Sequence, residues 1–338
     1  MAGRVTQADV ARMAGVSQAT VSLVLNAAHD RVGEATRRRV MDAITRTGYT
    51  ANPLAQRLAR GRNQIVGVFT YEPVFPSTGA DFYFPFLRGI EAEAERRACD
   101  LLLFTSAPVV DGRRSLTAQG RAQLAVTDGC VLLGRGEDKA ELARLSEDGF
   151  PFVFVGRREL PGGADLAFVG ADYARATADV VGVLLSHGHE RIGYVGAAGD
   201  REAHRDRLAG YRAALREAGL RPLTLDPAGL TPDEIVDLVL DNRLTGLLLA
   251  ESHRAEELRA AAARRGLDVP RDLSLAVLGQ PELPLRSELS WTGFRIPREE
   301  MGAQALALLA DLIDGRAVDR HRILPCAPQP GQTVAAAR

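Results

Sequence analysis

Residues 14–26 read AGVSQATVSLVLN, and this uncharged stretch decides how the N-terminal part of the chain folds. Ala11 precedes it, Gly15 lies four residues after Ala11, and Val21 follows six later. This is helix–turn–helix spacing: a small residue lets two helices approach, a glycine supplies the positive φ of the turn, and a valine packs the second helix on the first. Thr6 and Asp9 have capping-box spacing ahead of an apolar face of Val10, Ala11 and Ala14. Ser17 is placed to cap the second helix, which Val21, Val24 and Leu25 supply with a buried stripe. A third helix is expected over 34–47, with Val40 and Ile44 one turn apart and Gly48 as its stop. The second helix turns Ser17, Gln18, Ala19, Thr20, Ser22 and Leu23 outward. Such a helix fits a major groove, with early residues at base edges and short hydroxyls on phosphates. A plain helical hairpin is the alternative reading.

The charge distribution bears on that choice. The 338-residue chain is 46% hydrophobic and 25% charged, ordinary for a globular protein, and long enough for two or three domains. Its net charge of −1 conceals an asymmetry. Residues 1–62 hold ten arginines and four acidic residues, a net +6, which leaves −7 on the remainder. A basic head on an acidic body points to a polyanionic partner for the head alone; a solvated basic surface is the other reading.

From Ile65 onward the pattern changes. Short apolar runs appear at 65–70, 101–105, 129–133, 152–156, 167–171, 191–196, 246–250 and 273–278, and helical stretches such as 86–97, 174–186, 208–218 and 255–265 separate them. Fully apolar strands alternating with amphipathic helices imply parallel sheets covered on both faces. Eight such strands fit two doubly wound lobes with a cleft between them.

Several functions find no support. Cys99, Cys130 and Cys326 lie far apart, so neither a disulfide framework nor a zinc site is expected, and Cys130, inside an apolar run, is expected to be buried. No hydrophobic segment of signal-peptide type or apolar run of about 18 residues occurs. The expectation is a cytoplasmic protein without a membrane partner. His187 and His189 in SHGHER read as a turn between helix and strand rather than a metal site, and GAAGD at 196–200 lacks phosphate-loop spacing. No Ser/His/Asp or paired-carboxylate arrangement stands out, so no catalytic residue, metal or cofactor is expected, and the chain does not read as an enzyme.

The stretches VTQADVARMAGVSQATVSLVLN and TRRRVMDAITRTGYTANPLAQRLARGR resemble the N-terminus of the lactose-repressor (LacI/GalR) family of bacterial transcriptional regulators. FLRGIEAEA, HGHERIGYVG, RLAGYRAAL and GLDVPRDLS extend the resemblance over almost the whole chain. The resemblance implies an all-α helix–turn–helix head (1–49), a hinge helix (50–62), and a two-lobed α/β body like periplasmic binding proteins, with parallel doubly wound sheets (63–338). It implies a homodimeric repressor on a pseudo-palindromic double-stranded DNA operator, with a small, sugar-like effector in the cleft. By position it assigns Gln18, Ala19 and Leu23 to base reading, and Thr6, Ser17, Thr20, Ser22, Asn26, Thr36 and Arg37 to phosphates. Asn52, Leu54, Ala55 and Leu58 match the hinge pattern, with Leu58 as a minor-groove wedge that trades a few kcal/mol of unstacking for a bend. Leu58 as part of the body's core is the alternative.

Departures from the family pattern are specific. The family usually has Arg where this chain has Leu23, and such an Arg is worth about 1–3 kcal/mol of discrimination at one base pair. Leu23 offers apolar contact instead, for instance to a thymine methyl. In the cleft the resemblance places Phe82, Tyr83, Arg157, Arg207, Glu251 and Gln280. Two strands that commonly end in Asp end here in Gly156 and Gly279, and an Asn-Asp pair reads Glu251–Ser252. Gln280 and Glu251 are the available substitutes. For Arg207 a structural salt bridge competes with ligand contact, and for Phe82 and Tyr83 packing competes with stacking. A regulator with a degenerate cleft and no effector, and a solute-binding protein, remain as alternatives.

Overall fold

A computed structural model describes residues 5–25, 32–49, 63–72, 82–110, 113–116, 124, 126–135, 139–163, 165–196, 201–279 and 289–338. The chain divides into two compact units, Met1–Gln64 and Ile65–Arg338.

The first unit contains α1 (Gln7–Ala14), α2 (Gln18–Leu25) and α3 (Glu34–Thr47). Thr6 and Asp9 form the expected capping box: the Asp9 amide donates to Thr6 Oγ1 at 3.4 Å, and the Thr6 amide donates to Asp9 Oδ2 at 3.0 Å. Gly15 adopts φ +64°, the left-handed conformation that ends α1 and turns the chain. Ser17 Oγ then accepts the Thr20 amide at 3.1 Å at the start of α2. Val10, Ala11, Ala14, Val21, Val40 and Ala43 make the core. Ile44, expected beside Val40, is only half-buried and packs against the core, in which Ala43 takes the inner position.

The second unit runs β1 (Ile65–Thr70), α4 (Phe84–Arg97), β2 (Asp100–Leu103), β3 (Val109–Val110), β4 (Arg113–Arg114), β5 (Gly129–Leu133), α5 (Lys139–Glu147), β6 (Phe152–Val155), β7 (Phe168–Ala171), α6 (Tyr173–Ser186), β8 (Ile192–Val195) and α7 (Glu202–Glu217). It continues with β9 (Leu223–Leu225), α8 (Pro232–Asp241), β10 (Gly246–Leu249), α9 (Ala255–Arg264), β11 (Ser274–Val277), β12 (Thr292–Arg295), α10 (Arg298–Ile313), β13 (His321–Leu324) and β14 (Ala327–Gln329). All eight expected strands are present. Two six-stranded sheets form, in the orders β13-β7-β6-β5-β1-β2 and β14-β12-β11-β10-β8-β9. The first is parallel throughout; in the second only the β12–β14 pairing is antiparallel. The central strands β5, β6, β10 and β11 are buried along their whole length, as strands covered on both faces must be.

The chain passes between the two lobes three times, after β7, after β12 and between β13 and β14. Three crossings allow the lobes to hinge while remaining one unit. In the first lobe α10 packs on α4 at backbone contact: a Cβ on Gly89 would lie 1.8 Å from the Glu299 carbonyl oxygen. His189 is a structural residue in the second lobe. It is 2% exposed, its Nδ1 meets Thr245 Oγ1 at 2.9 Å, and its Nε2 meets the Ala335 carbonyl at 2.9 Å. That accounts for the second histidine of SHGHER. Cys130 is fully buried as expected. Among the described residues no helix is long and apolar enough to cross a membrane, and no group of three or more His, Cys, Asp or Glu could hold a metal ion.

Candidate functional site

The first candidate surface is the outer face of α2. Val21, with no exposed surface, fixes which side of the helix is inward. At 100° per residue, Ala19 and Leu23 then lie four apart on the opposite side. Ser17, Gln18 and Ala19 are exposed, and Thr20, Ser22 and Leu23 are half-exposed. Thr6 is exposed at the start of α1, and Thr36 and Arg37 are half-exposed in the first turn of α3. Ser17 and Thr20 join their hydroxyls at 2.8 Å. The two other helices of this unit carry exposed charge. Arg12 and Arg38 are 79% and 75% exposed, each beside an acid on its own helix, Asp9 at 3.2 Å and Glu34 at 3.9 Å. Asn26, the hinge residues Asn52, Leu54, Ala55 and Leu58, and Gln280 all lie outside the described residues.

The second candidate is a cavity of about 290 Å³ in the body. The first lobe contributes Phe82, Tyr83, Arg135, Gly156 and Arg157; the second contributes Tyr173, His204, Arg207, Glu251 and Gly279. The cavity therefore brings together every described residue assigned to the cleft from sequence. Their roles differ. Tyr83 is 5% exposed, belongs to the core of the first lobe, and donates its hydroxyl to Glu72 Oε2. Phe82 already carries two guanidinium groups over its ring, Arg135 at 4.9 Å and Arg298 at 4.7 Å. Both aromatics serve packing first.

Gly156 and Gly279, at the ends of their strands, adopt φ +107° and +133°. L side chains rarely enter that region, so an aspartate at either position would be strained. The two glycines are thus backbone requirements of this chain, and a carboxylate could not simply be restored there.

Arg207 is 8% exposed on α7. Its Nε donates to the Leu278 carbonyl at 2.9 Å, its Nη1 to the Ala203 carbonyl at 3.0 Å, and its guanidinium lies 3.9 Å above the Tyr173 ring. It makes no ion pair among the described residues, so the salt-bridge alternative does not describe it.

Arg157 is committed elsewhere. Its Nε and Nη2 donate to Asp206 across the lobes at 3.1 and 2.5 Å, and its Nη1 donates to Glu159. Arg205 Nη2 reaches Glu159 at 2.7 Å, and Lys139 Nζ reaches Glu202 at 2.9 Å. Lys139, Arg157 and Glu159 belong to the first lobe, and Glu202, Arg205 and Asp206 to the second, so these pairs clamp the lobes together. Burial alone would push the Glu202 carboxyl up. The Lys139 ammonium, the amides of Glu202 and Glu159, and the Arg158 charge outweigh it and hold the carboxyl below its ordinary range. His204 is pushed down to about 4 by burial and by the charges of Arg201 and Arg207. It stays neutral near pH 7, and its Nδ1 has no hydrogen-bond partner among the described residues.

The clamp and Tyr173 were not foreseen. The one available signal was REAHRDR at 201–207, a charge-dense start to a helix whose apolar residues come later. The partners lie far off in sequence, 49 residues for Arg157 and Asp206, and no local pattern encodes such a pairing.

Three family models match the chain. One for bacterial regulatory proteins of the lacI family covers residues 6–52. One for periplasmic binding proteins and the sugar-binding domain of the LacI family covers 73–228, and one for a periplasmic binding protein-like domain covers 181–334. The HTH-type transcriptional regulator GntR of Pseudomonas aeruginosa is 31% identical over 329 residues, 94% of this chain and 91% of that protein. Catabolite control protein A of Priestia megaterium is 29% identical over 93% of this chain and 94% of its own. Among solved structures, the Lac repressor dimer bound to operator and the anti-inducer ONPF matches with a TM-score of 0.72 at 21% identity, covering 99% of this chain and all of that one. A CelR–cellobiose complex matches with a TM-score of 0.65 at 24% identity, covering 98% of this chain and all of that one. At these identities the two structures speak to the fold.

Proposed function

From the premise that the chain belongs to the LacI family of bacterial regulatory proteins, and is a DNA-binding transcriptional regulator, we propose a homodimeric repressor that reads an inverted-repeat operator and answers to a small effector in its cleft. The proposed division is a reading head over 1–49, a hinge over 50–62 and an effector-binding body over 63–338. It acts in the cytoplasm as a binding protein without catalysis. Gln18, Ala19 and Leu23 read bases, and Thr6, Ser17, Thr20, Ser22, Asn26, Thr36 and Arg37 contact phosphates. Asn52, Leu54, Ala55 and Leu58 act at the minor groove. Two symmetric heads require a symmetric site.

One observation carries the reading. Buried Val21 sets Ala19 and Leu23 on the far side of α2, and Ser17 and Gln18 are exposed at its start, in a segment of net charge +6. A short, nearly uncharged reading face amid arginines separates direct readout from the electrostatic hold on the backbone. On the body's side, the cavity lies between two lobes held by ion pairs. A ligand that changes how the lobes close has the differential affinity that allostery requires.

The test is operator binding followed across ionic strength. With six to ten phosphates neutralised, affinity should fall about 10³–10⁵-fold between roughly 50 and 200 mM salt. A protein whose DNA affinity ignores salt, or that binds DNA as a monomer, does not work this way.

A further inference from the structure

We infer that the molecule held in this cleft carries an anionic group, a carboxylate or a phosphate, received by the guanidinium of Arg207 in the space beside Gly279. The inference rests on the reading of the cavity as an effector site and adds the charge of its ligand.

Arg207 is a buried cation without a counter-ion among the described residues. Its hydrogen bonds go to two backbone carbonyls, those of Leu278 and Ala203, which satisfy donors but carry no net charge. The Tyr173 ring beneath it offsets a part of the cost of burial. None of the described carboxylates around it forms an ion pair with it. Asp206, the preceding residue on α7, is held by Arg157. Asp172 caps α6 through the Arg175 amide at 3.0 Å, and Glu251, elsewhere on the cavity wall, lies 3.8 Å from the His253 imidazole. An ionised group out of water, with no opposite charge in contact, is an expensive arrangement, and folded proteins remove it by pairing.

The geometry says where the partner enters. Nε and one N–H of Nη1 are spent, which leaves the Nη2 edge. Nη2 lies 3.6 Å from the point where a Cβ on Gly279 would stand, and Gly279 has none. With φ +133° that residue keeps a backbone conformation side chains rarely adopt, and Gly279, Arg207 and Ile296, whose Cδ1 lies 3.4 Å from the same point, all line the cavity. The surroundings favour the same sign. Arg201 lines the cavity from the start of α7 and has no carboxylate partner among the described residues. Beside both cations, His204 is held neutral, first by burial and then by the charges of Arg201 and Arg207. An oxyanion at Nη2 would neutralise the buried charge through charge-assisted hydrogen bonds. A neutral hydroxylated molecule could fill the same volume, yet leave the charge as it is.

Calorimetric titration of the full-length protein with glucose, gluconate, glucose 6-phosphate and inorganic phosphate at about 1 mM tests this. Expected is binding of gluconate or glucose 6-phosphate about ten-fold or more tighter than glucose, with the tighter of the two naming the anion. Arg207→Gln should bring that compound down to the level of glucose. Because Arg207 also supports Leu278, this variant is read only beside the wild-type panel, which stands alone. Glucose binding as tightly as its charged relatives overturns the inference and leaves the effector reading intact. Charged binding unchanged in Arg207→Gln overturns the assignment to Arg207. No binding of any compound counts against both the inference and the effector reading.

Discussion

Arg12 and Arg38 in the head keep 79% and 75% of their side chains exposed, whereas in the body Arg207 is 8% exposed and Arg157 keeps 27% of its side chain in contact with solvent. Exposed charges act through a field that salt screens and that any polyanion feels. Buried charges act by contact and recognise one geometry. On the proposed reading, specificity in the head falls to residues without charge on the outer face of α2. In the cleft, on the inference drawn above, it falls to the charges themselves. The same residue type is the non-specific part of one site and the specific part of the other.

The sharpest separation of the two regions is Val21→Asp. An unpaired carboxylate in the small core of Val10, Ala11, Val21 and Val40 should cost about 3 kcal/mol or more and unfold the head. Operator binding should vanish while ligand titration of the body is unchanged. Loss of ligand binding in the same variant would break the division into two units.

Next is Leu23→Arg, which gives the reading face a charge it lacks. It should shift the preferred base pair at one operator position toward G·C, with about 1–3 kcal/mol of discrimination. Competition binding with single-position operator variants measures it, and a uniform gain across all variants would mean that Leu23 faces phosphate rather than a base.

Asp206→Asn probes the clamp. The pair is about one-quarter exposed on each side, so its removal should cost about 1 kcal/mol, a weakening of ligand affinity of roughly five-fold through a less favoured closed arrangement. Tighter ligand binding would show instead that the clamp holds the cleft against its ligand.

A further test of the body is in acid. The value of His204, about 4, lies below its ordinary 6.5, so the unfolded chain takes up the proton first. Stability of the body should fall as pH drops from about 6.5 toward about 4. Glu202, depressed below its ordinary range, adds stability above that range that is lost as pH falls through its lowered value. Denaturant unfolding of His204→Gln at pH of about 7 and about 5 should show a smaller loss than wild type. An equal loss would take His204 out of the account.

The head was legible because its determinants are local. Thr6 to Asp9, Gly15, Ser17 and Val21 act within one or two turns of each other, and each does what its spacing required. The central strands were legible because burial on both faces leaves an unbroken apolar run, as in GCVLL and FVFV. The strands LTL, HRIL and APQ at sheet edges mix polar residues into short runs, since one side of each meets solvent, and they escaped notice. TGFR escaped too, because only its first three residues are buried. Helix α7 begins six residues before the expected 208. Its first turns are charged because they face the other lobe, and a charged run reads as loop until that lobe is in place. For the cleft, the sequence named Arg207 but could not show that carbonyls and a ring, rather than a carboxylate, hold it.

Selection of bound duplexes from random DNA by the full-length protein tests the central claim most directly. The account predicts an inverted repeat whose half-sites differ from the family's usual operator at the pair facing Leu23, with an A·T pair that offers a thymine methyl. Recovery of the usual family operator would contradict the reading role of Leu23, and enrichment of no sequence at all would contradict the regulator.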